Sequence, residues 1–363
     1  MKSIVFSILI ILGMTFISYS SEAQTSKVRQ PYDTVGFASH SWQMDSIMAR
    51  IHRDQGKLLK RTLAEAGVTE QTTWKVVISP HDDYTYVGYL YPAILDNLKA
   101  RTVILFGVAH KAKQLGLQDR IIFGYFKEWK EPGSNVKVSP LRDEIMKELP
   151  AGMYQVSDSM QSIEHSIEAL IPFIQYHDPA VKIVPIVVPY MTLDRAGEIA
   201  RTLAEAIHQA VEKRHWVWGM DYAIAISSDA VHYGDQDWGG SNYAFYGADT
   251  AGYIATIQHE WEIINTISGN LTPDKVKAFT GLTVDDKDYT QYRWTWCGRY
   301  SIPMGLLTSY YLASLYGKEL QGTPVGYATS IDHPHLRVDD IGMGITAPAN
   351  IHHWVGYPAI GYK

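Results

Sequence analysis

Residues 222–232 read Tyr-Ala-Ile-Ala-Ile-Ser-Ser-Asp-Ala-Val-His, an apolar run that leads directly into polar side chains. The run Tyr222–Ile226 has the length and composition of a buried strand. Amphipathic helical patterns such as Arg195–Lys213 separate it from similar runs. The alternation predicts a layered α/β domain with a largely parallel core. The other strand-like runs are Lys75–Ser79, Thr102–Phe106 and Lys182–Val188.

Residues that bind metals or transfer protons follow three of these runs. In open α/β sheets, ligands bind beyond the carboxyl ends of the strands. A structural role is the simpler interpretation of any one such histidine, but the recurrence at three strand ends favours a shared site. The residues at these ends are His81, His110, Asp229 and His232.

Asp229 and His232 are three positions apart. On a helical turn, side chains at this spacing share a face, so one can orient the other for proton transfer or for metal binding. Alternatively, Asp229 caps a short helix through its side-chain oxygen. Both roles are compatible with the spacing.

Cys297 is the only cysteine of the chain, and it precedes an apolar helical pattern that begins at Ser301. A helix N-terminus favours the thiolate, and Arg299 adds positive charge, so we expect a metal ligand or a nucleophile. The alternative is a small buried apolar residue. His165 lies at the start of another predicted helix, Ser166–Gln175, where it either reaches the site or lies on the surface.

The N-terminus is typical of a secretory signal. Lys2 precedes an apolar stretch over Ile4–Ile17, and Ser21-Glu22-Ala23 resembles a cleavage site. We therefore expect a signal peptide at 1–23, a loose leader at 24–38 and one domain at 39–363. The apolar stretch is too short for an ordinary membrane span, so we expect export to the periplasm or the medium, with no stable span after cleavage. An uncleaved anchor is the alternative.

The overall charge and composition exclude some classes of protein. A net charge of −6 argues against a general nucleic-acid binder, which is normally basic. A hydrophobic fraction of 46% provides a sizeable core. We expect a globular protein whose partner is a small molecule or a peptide and not a nucleic acid.

Several blocks of the chain resemble the Memo family, whose bacterial branch is often called AmmeMemoRadiSam system protein B. Their order and spacing agree with the family from about residue 35 to the C-terminus. The blocks are Pro80-His81-Asp82-Asp83-Tyr84-Thr85-Tyr86-Val87-Gly88, Gly107-Val108-Ala109-His110, Glu164-His165-Ser166-Ile167-Glu168, Ser227-Ser228-Asp229 with His232-Tyr233-Gly234, and Cys297-Gly298.

The resemblance implies the fold of class III extradiol dioxygenases, with three layers and a mostly parallel or mixed central sheet flanked by helices. It also implies that one metal, iron or copper, is bound by His81, His110 and Cys297. Asp229, His232 and His165 would line the same cleft as catalytic residues.

The chain departs from the family pattern next to the expected ligands. Asp82 and Asp83 replace a small residue and a glycine, and they add two carboxylates at the edge of the pocket. Val87 and Ala109 each replace a serine. These changes leave the expected ligands in place and alter their surroundings.

Three functions follow from these residues. The first is a metal-dependent redox enzyme, dioxygenase-like, that acts on a small substrate with His232 as acid or base, oriented by Asp229. The second is a non-catalytic protein that binds a metal or a peptide. The third is a hydrolase that depends on Cys297 or on a metal.

Overall fold

The computed structural model describes residues 28–363. This part of the chain contains thirteen strands and eleven α-helices. The strands are β1 (Val28–Arg29), β2 (Val76–Ser79), β3 (Thr102–Val108), β4 (Ile121–Phe123), β5 (Glu128–Trp129), β6 (Val136–Val138), β7 (Tyr154–Val156), β8 (Lys182–Val188), β9 (Tyr222–Ser227), β10 (His232–Tyr233), β11 (Gly269–Asn270), β12 (Gln321–Thr329) and β13 (Trp354–Tyr362). The helices are α1 (Ser41–Asp54), α2 (Gly56–Glu65), α3 (Tyr84–Val87), α4 (Leu90–Leu95), α5 (Leu141–Glu148), α6 (Asp158–Ser162), α7 (Ile171–His177), α8 (Leu193–Glu212), α9 (Thr250–Thr266), α10 (Pro273–Thr283) and α11 (Ser301–Leu315).

The strands form one mixed sheet, in which ten follow the order β1-β5-β6-β8-β3-β9-β2-β13-β12-β11, while β4 pairs with β7 and β8 and β10 pairs with β13. Strands β6, β8, β3, β9 and β2 run parallel to one another, whereas β13, β12 and β11 continue the sheet in antiparallel pairs. The four predicted apolar runs are β2, β3, β8 and β9, and they lie side by side. The expected α/β fold with a mixed central sheet flanked by helices is confirmed.

Alternate side chains of the central strands face opposite helical layers, as the two-residue period of a strand requires. Val103 and Leu105 of β3 pack in one apolar cluster with residues of α1, α4 and α7. Ile104 and Phe106 pack in a second cluster with residues of α8 and α11. Both faces are buried, which explains why these strands are continuous apolar runs.

The predicted helix between Ser41 and Ala66 is two helices, because Gln55 interrupts it between α1 and α2. The Gln55 side chain accepts a hydrogen bond from the backbone N–H of Tyr89 and donates one to the carbonyl of Pro334, at 2.8 Å in both cases. The side-chain amide thus fastens the break to two other segments of the chain.

Residues 28–38 form an N-terminal strap that differs from the expected loose leader. Its strand β1 pairs with β5, and the buried Arg29 contacts the carboxylate of Glu168 and the carbonyl of Glu164. Glu168 also accepts the backbone N–H groups of Tyr32 and Asp33. The strap therefore belongs to the domain. The expected signal peptide at 1–23 and residues 24–27 lie outside the described residues.

Within residues 28–363, no helix is both long enough and apolar enough to cross a membrane.

Candidate metal centre

A cavity of about 610 Å³ opens at the carboxyl ends of β2, β3 and β9. Parallel strands end at the same edge of a sheet, so residues that follow them in sequence meet there. Each residue predicted at these strand ends lines the cavity, and so does His165. The residues from the strand ends are His81, His110, Asp229 and His232.

His81 and His110 line this cavity, and the buried Cys297 lies beside His81. One ligand atom from each lies within 4.8 Å of the others, and Cys297 Sγ is 3.5 Å from His81 Nε2. Zinc-like bond lengths in a tetrahedral site give an S···N separation of about 3.6 Å. The spacing therefore fits one shared ion. That the three residues bind a metal stays a prediction.

The hydrogen bonds of His81 fix which of its ring nitrogens is free. Its Nδ1 lies 2.7 Å from Ser227 Oγ, and the Ser227 hydroxyl donates its proton to the carbonyl of Ser166. Ser227 Oγ must therefore accept from a protonated Nδ1. The Nε2 lone pair of His81 remains available beside Cys297.

Glu164 orients His110 in the same way. Its carboxylate lies 2.9 Å from His110 Nδ1, and it accepts the backbone N–H groups of His110 at 2.8 Å and of Ser166 at 2.9 Å. Burial opposes ionisation of Glu164, but the His110 imidazole and these donors lower its pKa to about 2. The Glu164 anion thus holds a proton on Nδ1 and leaves Nε2 free, as in carboxylate–histidine–metal arrangements.

Cys297 differs from the sequence-based expectation of a stabilised thiolate. Burial, and then the neighbouring Asp229, raises the pKa of its thiol well above the ordinary range. Helix α11 begins only at Ser301, and the guanidinium of Arg299 lies over the Tyr292 ring at 3.4 Å. The free thiol is therefore neutral, and a bound metal would favour the thiolate.

Asp229 contacts His81 and not His232. It accepts the backbone N–H of His81 at 2.8 Å, and its own N–H lies 3.2 Å from Cys297 Sγ. No helical turn or helix cap forms here, because β10 begins at His232 and pairs with β13. The expectation that Asp229 orients His232 through a helical spacing is therefore wrong. Burial, and then Asp82, raises the pKa of the Asp229 carboxyl well above its ordinary range.

Backbone carbonyls orient His232 instead. Its Nδ1 lies 3.2 Å from the Ala230 oxygen and 3.1 Å from the Thr295 oxygen. Both atoms are acceptors, so Nδ1 carries the proton and Nε2 carries a lone pair. Burial lowers the pKa of His232 to about 4. A neutral imidazole in this position can accept a proton from a bound molecule.

His165 lies against His110, with ring centroids 4.8 Å apart and an interplanar angle of 12°. Burial lowers the pKa of His165 to about 4. The residue lies in a turn and not at the start of a helix, since α7 begins at Ile171. A second group that could hold an ion consists of His110, Glu164 and His165.

Asp82 and Asp83 form an acidic wall, as their position beside His81 indicated. Asp82 accepts a hydrogen bond from the Tyr357 hydroxyl at 2.6 Å. Asp83 accepts the backbone N–H of Thr346 at 2.6 Å and the Thr346 hydroxyl at 3.1 Å. Burial raises the pKa of Asp82, and burial together with Asp82 raises that of Asp83 to about 8.

Two further residues that the sequence did not assign to this site line the cavity. Trp238 stacks on His353, with centroids 3.8 Å apart and an interplanar angle of 9°. His353 is also bonded through Nδ1 to the Gln236 oxygen at 3.0 Å. These residues are more than a hundred positions apart, so no spacing pattern pointed to them. A run of histidines near the C-terminus was the one available signal.

Comparison with known proteins shows the family to which the chain belongs. A family model described as Memo-like protein matches residues 49–342. A MEMO1 family protein of Pyrobaculum aerophilum is 31% identical over 44% of this chain and 54% of its own length. One of Pyrococcus horikoshii is 30% identical over 48% and 57%, and one of Pyrococcus abyssi is 29% identical over 56% and 66%.

The chain thus spans about half the length of the first two of these curated relatives. The family model covers more than half of the chain, and the matched range includes all six predicted site residues, which are His81, His110, His165, Asp229, His232 and Cys297. This protein belongs to the Memo-like protein family.

Proposed function

We propose that this protein is a metal-dependent redox enzyme that holds one iron or copper ion between His81, His110 and Cys297. One observation carries the proposal: both imidazoles have Nδ1 engaged by an acceptor, which leaves both Nε2 lone pairs free, and a ring nitrogen of each lies within 4.8 Å of Cys297 Sγ. Imidazole nitrogens and a thiolate suit iron, copper or zinc better than magnesium or calcium.

The remaining residues of the cavity support chemistry on a small organic molecule. A bound ion of this kind would supply Lewis acidity and electron transfer. His232 would take a proton from the substrate at Nε2, since its Nδ1 is held by carbonyls. A volume of about 610 Å³ is in the range of small-molecule sites.

Oxygen consumption tests the proposed activity. Protein loaded with iron or copper would be mixed with a panel of small phenols and diphenols, and we expect steady oxygen uptake. His232→Gln should retain the metal and lose about 10²–10⁴-fold in rate, whereas His352→Gln, a change of a half-exposed histidine, should have no effect. Metal-loaded protein that never turns over would contradict the enzyme.

A binding protein without turnover is the second candidate. The acidic wall favours it, because Asp82 and Asp83 stand where the family pattern has a small residue and a glycine. Tight binding of a metal or a peptide, together with no oxygen uptake, would support this function. A cysteine hydrolase is less well supported, since the free thiol of Cys297 is neutral.

Export of the protein is part of the proposal and rests on residues 1–23 alone. N-terminal sequencing of protein recovered from a native or bacterial host tests it. We expect the mature chain to begin at Gln24, and an intact Met1 on all of the recovered protein would contradict cleavage.

A further inference from the structure

Glu260 of α9 is a completely buried carboxylate. It accepts four hydrogen bonds from neutral donors. Its Oε1 binds the indole N–H groups of Trp294 at 2.7 Å and Trp296 at 2.8 Å. Its Oε2 binds the backbone N–H of Val231 at 3.1 Å and the Tyr327 hydroxyl at 3.0 Å.

Four donors on two oxygens leave little room for a proton on Glu260. A protonated carboxyl would add a donor where four donors already point inward, so the ionised form matches the network. Burial raises the pKa of Glu260, and its hydrogen bonds oppose that effect. The four donors thus resemble a buried anion-binding site, and the anion that occupies it is the side chain of Glu260.

Three of the four donors come from two segments that carry site residues, and the fourth, Tyr327, comes from β12. Trp296 directly precedes Cys297, and Val231 directly precedes His232. Val231 and Trp296 also form an antiparallel bridge, and Thr295 accepts the backbone N–H of His232 through Oγ1 at 3.1 Å. Glu260 therefore fastens both segments to α9 at the point where they pair.

We propose that Glu260 is a positioning residue that holds the sulfur of Cys297 and the imidazole of His232 in register with the histidines of the metal centre. Its relevance to metal binding rests on the proposed function. Cys297 Sγ lies 3.5 Å from His81 Nε2, and this distance must be kept if the two atoms are to share one ion. None of the residues 294–297 belongs to a helix or a strand, so no such element fixes the position of the sulfur independently of Glu260.

Glu260→Gln is the variant that tests this role. Glutamine keeps the shape of the side chain but replaces one acceptor with an NH₂ donor. If the NH₂ group takes the place of Oε2, the Tyr327 hydroxyl can turn and accept a hydrogen bond from it. The backbone N–H of Val231 can only donate, so it loses its acceptor. Glu262→Gln is the matched control, since Glu262 is on the same helix with 72% of its side chain exposed.

The single cysteine gives two clean measurements. In metal-free protein, the reaction of Cys297 with a disulfide reagent reports how well the buried thiol is held. We expect about a tenfold faster reaction in Glu260→Gln and no change in Glu262→Gln. With cobalt(II) as the probe, we expect about tenfold weaker binding and a changed sulfur-to-cobalt absorption band in Glu260→Gln only.

The outcomes separate this role from the proposed function. Should the unmodified protein bind no cobalt, the metal centre fails, and the thiol reaction still decides the role of Glu260. Wild-type thiol reactivity and cobalt binding in Glu260→Gln would overturn the proposal. If circular dichroism shows that Glu260→Gln does not fold, Trp296→Phe, which removes one donor beside Cys297, decides by the same two measurements.

Discussion

Glu164 and Asp229 are buried carboxyl groups on opposite sides of the same centre, and each contacts one candidate ligand. Glu164 receives the His110 ring N–H and two backbone N–H groups, and its pKa falls to about 2. Asp229 receives one backbone N–H, and burial, followed by the neighbouring Asp82, raises its pKa well above the ordinary range. Both carboxyl groups are buried, so the comparison teaches that donors and neighbouring charges account for the opposite directions of their pKa shifts.

Arg29 is the buried cation on the Glu164 side of the centre. Its removal should cause the largest loss of stability. Arg29→Met leaves the buried carboxylate of Glu168 without its cationic partner, so we expect a loss of about 3–5 kcal/mol in the free energy of unfolding. Denaturant unfolding measures it. Arg53→Met is the control, since the Arg53 side chain is 67% exposed. Equal stability of the two variants would show that the strap is not fastened through Arg29.

Glu164→Gln tests the anionic carboxylate directly. Glutamine cannot accept from His110 Nδ1 and from both backbone groups at once, so the ring loses its fixed orientation. We expect cobalt affinity to fall about 10–100-fold, as measured by competition with a chelator. An unchanged affinity would mean that Glu164 does not orient a ligand.

Asp83, on the Asp229 side of the centre, should make the stability of the folded protein depend on pH. Its pKa is about 8 in the folded protein against an ordinary value of 3.8. Between these values the unfolded chain releases a proton that the folded protein keeps, so rising pH favours unfolding. In metal-free protein, Asp83→Asn should gain thermal stability relative to wild type as the pH rises from 5 to 8. A difference in melting temperature that is constant or shrinks with pH would contradict this assignment.

Asp229→Asn should have the smallest effect. Burial and Asp82 favour the neutral carboxyl, which resembles an amide, and asparagine keeps the oxygen that accepts the His81 N–H. We expect cobalt affinity to change by less than about threefold. A loss as large as that in Glu164→Gln would show that both carboxyl groups act as anions, and the contrast between the two sides would disappear.

Much of the fold was predictable, because local pattern and global structure agree. The runs that form β2, β3, β8 and β9 are rich in valine and isoleucine and are buried on both faces. Parallel strands end at one edge of the sheet, so the residues after β2 and β3, His81 and His110, had to lie near each other. The break at Gln55 was not predictable, since its cause is a side-chain contact with segments 34 and 279 residues away.

The electrostatics of the site could not be predicted from spacing. The position of Cys297 ahead of a helix indicated a thiolate, but burial beside Asp229 dominates. Asp229 and His232 have helical spacing, yet the bridge between Val231 and Trp296 makes the backbone extended there. Glu164 was recognisable within its motif, but its bond to His110 depends on how two distant turns meet.

Metal content is the most direct test of the central claim that two imidazoles and one thiol share an ion. Wild type, Cys297→Ser and the control His352→Ala would be purified without chelator, loaded with iron(II) or copper and desalted. Elemental mass spectrometry would then measure the metal content of each. The account predicts about one ion per chain in wild type and in the control, and almost none in Cys297→Ser. A Cys297→Ser protein that keeps the full complement of metal would contradict it.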